Sequence, residues 1–304
     1  MLLRMPVKRK KIEISLYLML IPALVLIFIY SYVPLGGLII AFEKYDLAKG
    51  FLGSKWVGLD NFKYLLTGYR TFPSIIFNTV FIAVMKIIVR FIAPIVVAIL
   101  LNEVTKIKFK RTIQTMVYLP YFISWVIIAG IMVDVLNPSG GTVNVMLEAL
   151  GIKPIYFLGK PGLFPYLMVA TDVWKDFGFG TIIYMAALTG IDPTMYEAAT
   201  IDGANRFQRI RHITIPGIVP IMVLIGTLSL GSVLNAGFDQ IFNLYNPLVY
   251  STGDILDTFI YRIGIQQNRY DMATAVGLLR SVVSLVMVST SYSLAYRFAN
   301  YRIF

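Results

Sequence analysis

The chain has 304 residues, of which 58% are hydrophobic and only 14% charged, where soluble domains carry roughly 25% charge. With a mean hydropathy of +0.74, this excludes an ordinary soluble globule, because too few ionic groups remain to cover its surface. The formal net charge is +11, but the Lys and Arg residues lie mainly in short connections between apolar runs, which is the pattern of membrane orientation and not of a nucleic-acid-binding face.

Cysteine is absent, which removes disulfides, thiolate metal sites and thiol nucleophiles together. The chain opens on Arg4, Lys8, Arg9, Lys10 and Lys11, followed by an apolar run over 16–41. That run far exceeds the roughly 7–15 apolar residues of a signal peptide, so it is expected as a retained first helix. A bilayer core about 30 Å thick is crossed by about 20 apolar residues in a helix. Five more runs reach that length, over 75–101, 112–136, 165–188, 217–238 and 273–298. In lipid each must satisfy its own backbone hydrogen bonds, so all six are expected as transmembrane helices of one all-α, polytopic domain.

Between the first and second runs, Trp56, Phe62, Tyr64, Leu65 and Leu66 predict a short amphipathic helix at the membrane interface. Residues 142–150 predict another, preceded by Gly140 and Gly141 and stopped by Gly151. Alternate connections differ in charge: the N-terminal side carries fourteen Lys and Arg, the opposite side nine, and Lys86, Arg90, Lys175 and Arg280 fall inside the runs. The excess places both termini in the cytoplasm. The organisation expected is a tail over 1–15, a six-helix domain over 16–298 with a cytoplasmic loop at 190–216, and a tail over 299–304.

Charges at bilayer depth are costly and face protein or a water-filled path. Lys86 and Arg90, spaced i, i+4, share a helix face. They either line a cavity for an anionic substrate or pair with a carboxylate of a partner. In the fourth run, Asp172, Trp174, Lys175 and Asp176 suit sugar recognition, or form a local ion-pair cluster. Arg280 either snorkels outward or lines the outer mouth, and Asn235 and Asp239 close the fifth run. His212 is the only histidine, and a lone one builds no multi-ligand metal site.

The connection 190–216 is readable locally. Asp192 followed by Pro193 is an N-cap with proline at the first helical position. The helix continues from Thr194 to Ile201, and Asp202-Gly203 breaks it. A second helix runs from about Ala204 to Ile213, and Pro216 marks the start of the fifth run. The pair is either an ordinary amphipathic loop or a small-residue surface that settles into a groove on a partner.

Glu197-Ala198-Ala199, Asp202-Gly203-Ala204, Ile213 and Pro216 resemble the EAA signature of permease subunits of binding-protein-dependent ABC importers. Two positions depart from it: Ile215 stands where leucine usually precedes the proline, and Ile210 where an aromatic is common. Asn235–Tyr250, with Asp254, Asp257, Thr258, Tyr261 and Arg262, resembles the oligosaccharide-importing branch. The resemblance implies a type I importer permease fold in the bacterial cytoplasmic membrane. It also implies a coupling helix, through which Glu197, Ala198, Ala199 and Gly203 meet a separate ATPase.

The implied partners are a second, similar permease, two copies of an ATP-binding subunit and an extracytoplasmic solute-binding protein. ATP and Mg belong to the ATPase partners and no cofactor to this chain, which has no G-x-x-x-x-G-K-[ST] phosphate loop. The in-span basic residues favour an acidic, uronate-containing oligosaccharide; a neutral sugar, a glycerol-phosphate-like solute or a peptide are the alternatives. An intramembrane enzyme would need catalytic partners that Asp172 and Asp176 lack, and a passive channel would have no use for an ATPase-docking motif.

Overall fold

The computed structural model describes residues 14–299, so most of each tail lies outside the described residues. The protein is almost wholly helical. Helix α1 (Ile14–Ile27) contains Pro22 and passes through a π turn, Phe28–Tyr32, into a 3-10 helix, Val33–Phe42, with proline at its start. The first expected span is thus one rod with three pitches, and its side chains are almost all exposed. Apolar surface on that scale is stable only against lipid or a partner protein.

The next segment corrects the expected interfacial helix. Trp56 lies on a strand: β1 (Glu43–Lys44) and β2 (Lys55–Trp56) pair antiparallel, with Glu43 opposite Trp56. Helix α2 (Gly50–Gly53) fills the hairpin. The pairing brings Trp56 onto Phe42, ring centroids 5.7 Å apart. Helix α3 (Asp60–Lys63) and the π turn Tyr64–Gly68 carry the rest of the predicted aromatic face. Asn61 anchors them, donating from Nδ2 to the Ala41 and Glu43 carbonyls at 2.9 Å each.

Helix α4 (Phe72–Asn102) is the spine of the protein. It contributes Phe72 and Ile75 to one apolar cluster, Ile82 and Ala83 to a second, and Ile95 and Ala98 to a third. Its largest interface is with α8 (Phe164–Thr189). Between them in sequence, α5 (Ile107–Tyr118) and α6 (Trp125–Val135) replace the straight third span expected over 112–136. The chain bends by 102° there. Pro120 ends one helix in a 3-10 turn, and the Ser124 hydroxyl caps the next by accepting from the Ile127 N–H at 3.4 Å. Helix α7 (Thr142–Ala149) stands where expected, with Gly140 and Gly151 flanking it at φ +89° and +76°.

Helices α9 (Pro193–Ile201) and α10 (Arg206–Arg209) follow α8. The second loop helix does not stop at Ile213. It runs through a π turn, Ile210–Thr214, into α11 (Ile215–Leu230), giving one 25-residue helix from Arg206 to Leu230. The far end is also corrected: the fifth run ends at Leu230, not 238. A tight turn and Gly237, at φ +90°, lead into α12 (Phe238–Leu244). Short helices α13 (Tyr250–Gly253) and α14 (Leu256–Tyr261) precede α15 (Tyr270–Ala299).

Among the described residues, four helices are long and apolar enough to cross a membrane, or five with the bent pair. Helix α8 is as long but carries Asp172, Lys175 and Asp176 in its middle turns. Close packing places α8 against both neighbours. A Cβ on Gly180 would fall 2.9 Å from Pro94 Cγ, and one on Gly178 only 2.0 Å from the Val117 carbonyl oxygen. Backbone cannot yield as a side chain does. Gly178→Ala is therefore expected to destabilise the protein by about 1–3 kcal/mol, read as a lowered Tm in detergent. Gly162→Ala, whose Cβ meets nothing within 4 Å, is the control, and equal Tm values would show that α5 and α8 sit further apart.

Candidate functional site

The α4–α8 interface holds a buried ladder of charge. Lys86 and Arg90 lie one turn apart on α4, and Asp172 and Asp176 one turn apart on α8, so each pair shares a helix face. The Lys86 ammonium lies 3.0 Å from Asp172 Oδ1, and Arg90 Nε donates to Asp172 Oδ2 at 2.5 Å. Arg90 also pairs with Asp176. The carboxylate partner expected from another subunit is thus supplied in cis, and the local pairs anticipated along α8 give way to bonds across to α4. Only Lys175–Asp176, at 3.9 Å, is internal to α8.

The two cations differ in what remains of them. Every donor of the Lys86 ammonium has a partner: Asp172, the Ala236 carbonyl at 2.6 Å, and Gln240 Oε1. Its side chain is 5% exposed, whereas that of Arg90 is 42% exposed. Arg90 spends Nε and Nη2 on the two carboxylates and keeps its other N–H donors for the cavity it lines. That cavity, about 270 Å³, is walled by Arg90, Lys86, Asp172, Trp125, Asn235 and Gly237 among others.

Gly237 in the wall and Gln240 behind it, both inside the 235–250 stretch, had no contact assigned to them from the sequence. Gly237 must be glycine, since φ is +90° and a Cβ would sit 2.9 Å from Lys86 Nζ. Gln240, fully buried, accepts from Lys86 and donates from Nε2 to the Met168 carbonyl at 2.8 Å and to Thr171 Oγ1 at 2.7 Å. A single amide among Ile241 and Leu244 was its only sequence signal.

Lys175 serves the bend. It donates to the Tyr121 carbonyl at 2.7 Å and lies over the Tyr121 and Trp125 rings, capping the helix end that Pro120 creates. The other expected residues scatter. Trp174 is exposed and lies off the cavity, whose indole is Trp125. Asp239 faces outward on α12, and Arg280 pairs with Asp257, joining α15 to α14. Asp254 accepts from Arg262 and Thr258 and closes the α13–α14 corner.

The loop 190–216 forms a second, separate surface. Asp192 Oδ1 accepts from the Thr194 N–H at 2.9 Å, and this bond holds the Asp192 carboxyl below the usual carboxylate range. Glu197 and Ala198 are exposed on α9, and Ala199 is partly so. Gly203 turns the chain at φ +76° in open space, with Asp202 and Ala204 beside it. An Asn205–Gln208 capping box starts α10. The Tyr196 hydroxyl bonds Thr214 at 3.0 Å, tying α9 to the helix that Ile213 and Pro216 continue. Met195, Ile201 and Phe207 stand 50%, 87% and 69% exposed, an apolar rim on a surface otherwise polar.

Residues 91–301 match the family described as binding-protein-dependent transport system inner membrane component. Protein LplB of Bacillus subtilis (strain 168) is 40% identical over 283 residues, covering 93% of this chain and 89% of the relative. The polygalacturonan/rhamnogalacturonan transport system permease protein YteP of the same organism is 37% identical over 297 residues, covering 96% and 92%. A crystal structure of a bacterial ABC transporter involved in the import of the acidic polysaccharide alginate has a chain superposing with a TM-score of 0.87 at 39% identity, over 93% of this chain and 96% of that one. The chain is an inner membrane component of a binding-protein-dependent transport system: it belongs to that family, and its fold is that of an ABC importer permease.

If Asp172 neutralises Lys86 as drawn, Asp172→Asn leaves a buried ammonium without its counter-charge and costs about 3–5 kcal/mol. Combining it with Lys86→Met is expected to recover much of the loss, and a double-mutant cycle of Tm values in detergent measures the coupling. Strict additivity would show that the two groups do not interact.

Proposed function

We propose that this chain is one of two permease subunits of a bacterial importer that carries a uronate-containing oligosaccharide across the cytoplasmic membrane. The observation that carries the cargo is the unequal use of two cations. Lys86 is consumed by the fold, while Arg90 is oriented by two carboxylates and still offers donors to the cavity. A guanidinium fixed in this way recognises a carboxylate with little ordering cost. The cluster also sums to a positive charge, with Lys86, Arg90 and Lys175 against Asp172 and Asp176. Further support comes from relatives: YteP is named for polygalacturonan and rhamnogalacturonan, and the structural neighbour for alginate.

In this reading α8 is counted with the other long helices, giving six spans with both termini cytoplasmic. A water-lined cavity lets it carry its charges at depth. The loop 190–216 is the coupling surface, where Glu197, Ala198, Ala199 and Gly203, with the exposed Met195, Ile201 and Phe207, dock on an ATPase subunit. Two such subunits bind ATP and Mg, a second permease completes the pathway, and a solute-binding protein delivers cargo at the outer face. One neighbouring structure holds a transporter together with an alginate pentasaccharide-bound periplasmic protein, which supports that assembly. A neutral cargo is the second reading, favoured by the bonds Arg90 already makes to Asp172 and Asp176.

Two measurements on the assembled transporter in vesicles test this. Arg90→Gln is expected to cut uptake of an oligogalacturonate about tenfold or more, the loss of about 1.4 kcal/mol, while a neutral oligosaccharide of equal length is unaffected. Equal loss for both removes charge selection and leaves the neutral reading. At the loop, Gly203→Val strains a left-handed position by about 1–2 kcal/mol and crowds the docking face. ATP-driven uptake is expected to vanish while the permease stays folded by Tm, and undiminished uptake would rule out coupling through this turn.

A further inference from the structure

Helix α12 has three faces. Gln240, Ile241 and Leu244 are buried against the protein. At i, i+4 and i+7 stand Phe238, Phe242 and Tyr245, all half-buried, and one position on stand Asp239, Asn243 and Asn246. The rings form a continuous row: Phe238 to Phe242 is 5.1 Å between centroids and Phe242 to Tyr245 is 6.2 Å. Tyr261 of α14 backs the row, 4.7 Å from Phe242 and 5.9 Å from Phe238. An aromatic stripe inside a core would be covered, and these rings are not.

The row begins at Phe238, next in sequence to Gly237 of the Arg90 cavity wall; Phe238 and Tyr261 line a cavity of about 410 Å³, and Tyr245 lines another of about 410 Å³ with Asn243 and Asn246. From Phe238 to Leu244 the helix rises about 9 Å, longer than a single sugar ring, and Tyr245 follows at its extended C-cap. Flat apolar faces beside amides are the pairing a pyranose needs, since its axial C–H face is apolar and its rim is hydroxyl.

Resting on the importer reading above, we propose that Phe238, Phe242 and Tyr245, backed by Tyr261 and edged by Asn243 and Asn246, form a stacking track for consecutive rings of a saccharide chain. The track follows directly in the chain from Gly237 of the Arg90 cavity wall, and in this proposal ring stacking selects chain length while Arg90 selects charge. A single sugar would gain little from a row of rings, and a chain of several would gain at each one.

The test uses the assembled transporter in vesicles with binding protein loaded to saturation and oligogalacturonates of increasing length. In Phe242→Ala and Phe242→Leu, the saccharide moved per ATP hydrolysed is expected to fall about tenfold, or about 1.4 kcal/mol, for long chains and less for a disaccharide. Phe242→Tyr restores it, and all three variants stay folded by Tm in detergent. Leucine keeps the bulk and the apolar character, so a loss shared with alanine reports the flat ring and not the packing. A loss independent of length, or no loss, overturns the track and leaves the importer standing. Loss of co-purification with the second permease would make the row a protein interface and also overturns it. If the unaltered transporter moves no saccharide of any length, the importer reading itself fails and the track with it.

Discussion

The Asp172 carboxylate, 2% exposed, is the constraint on which the rest depends. A buried charge persists only when paired and hydrogen-bonded, and here both partners come from α4. Two groups one turn apart on α4 meet two groups one turn apart on α8, so the pair can slide or rotate only by breaking ionic contacts. That fixes the register of the longest interface in the protein. Lys86 extends the constraint through the Ala236 carbonyl and Gln240 to α12, and Gln240 returns it to α8 at Met168 and Thr171. The three apolar clusters along α4 supply cohesion, and the ladder specifies the alignment at which they close.

The same ladder accounts for irregular backbone beyond Leu230. Non-helical chain at membrane depth is tolerated only where protein or a polar cavity satisfies it. Here the Ala236 carbonyl accepts from Lys86, and the Gly237 N–H donates to Asn235 Oδ1 at 3.2 Å. The break costs a helical turn and in exchange brings Asn235 to the cavity and turns α12 so that its rings are uncovered.

What was legible in the sequence was local. Asp192 with Pro193, the left-handed Gly203, and the stops at Gly140 and Gly151 each follow from one or two residues and their backbone preferences, and each stands where those preferences put it. The EAA-type spacing likewise led to the family through contiguous residues. Pairing across the fold was not legible. Arg90 and Asp172 lie 82 positions apart, and Lys86 and Gln240 lie 154 apart, so periodicity could mark the charges as buried without naming their partners. The third span misled for a different reason: Pro120 and Ser124 sit inside an apolar window long enough to cross a bilayer, and hydropathy averages over the break they cause. Lys86 and Arg90 looked equivalent because they share a helix face. Only the positions of Ala236 and Gln240, set by the turn at Gly237, separate the lysine that the fold consumes from the arginine that the cavity keeps.

The two candidate surfaces are joined by covalent and packed structure. Helix α8 runs from Asp172 to Thr189, a rise of about 26 Å, and only the short turn 190–192 separates it from α9. That turn is held by backbone bonds from Gly190 to Ala187 at 3.1 Å and from Ile191 to Leu188 at 3.3 Å. Ile191 also packs where a Cβ on Gly217 would meet it at 2.6 Å, so the turn into α9 bears on α11 as well. In the proposed reading, a load on α9 reaches the ladder along a stiff helix. What can give there is unequal. Lys86–Asp172 is enclosed and breaking it strands a buried charge, whereas Arg90 borders the cavity, where water or a uronate carboxylate can take the place of Asp176. Movement of α8 would therefore open the Arg90–Asp176 rung before the Lys86–Asp172 one, making Arg90 the group whose bonding changes with both cargo and conformation.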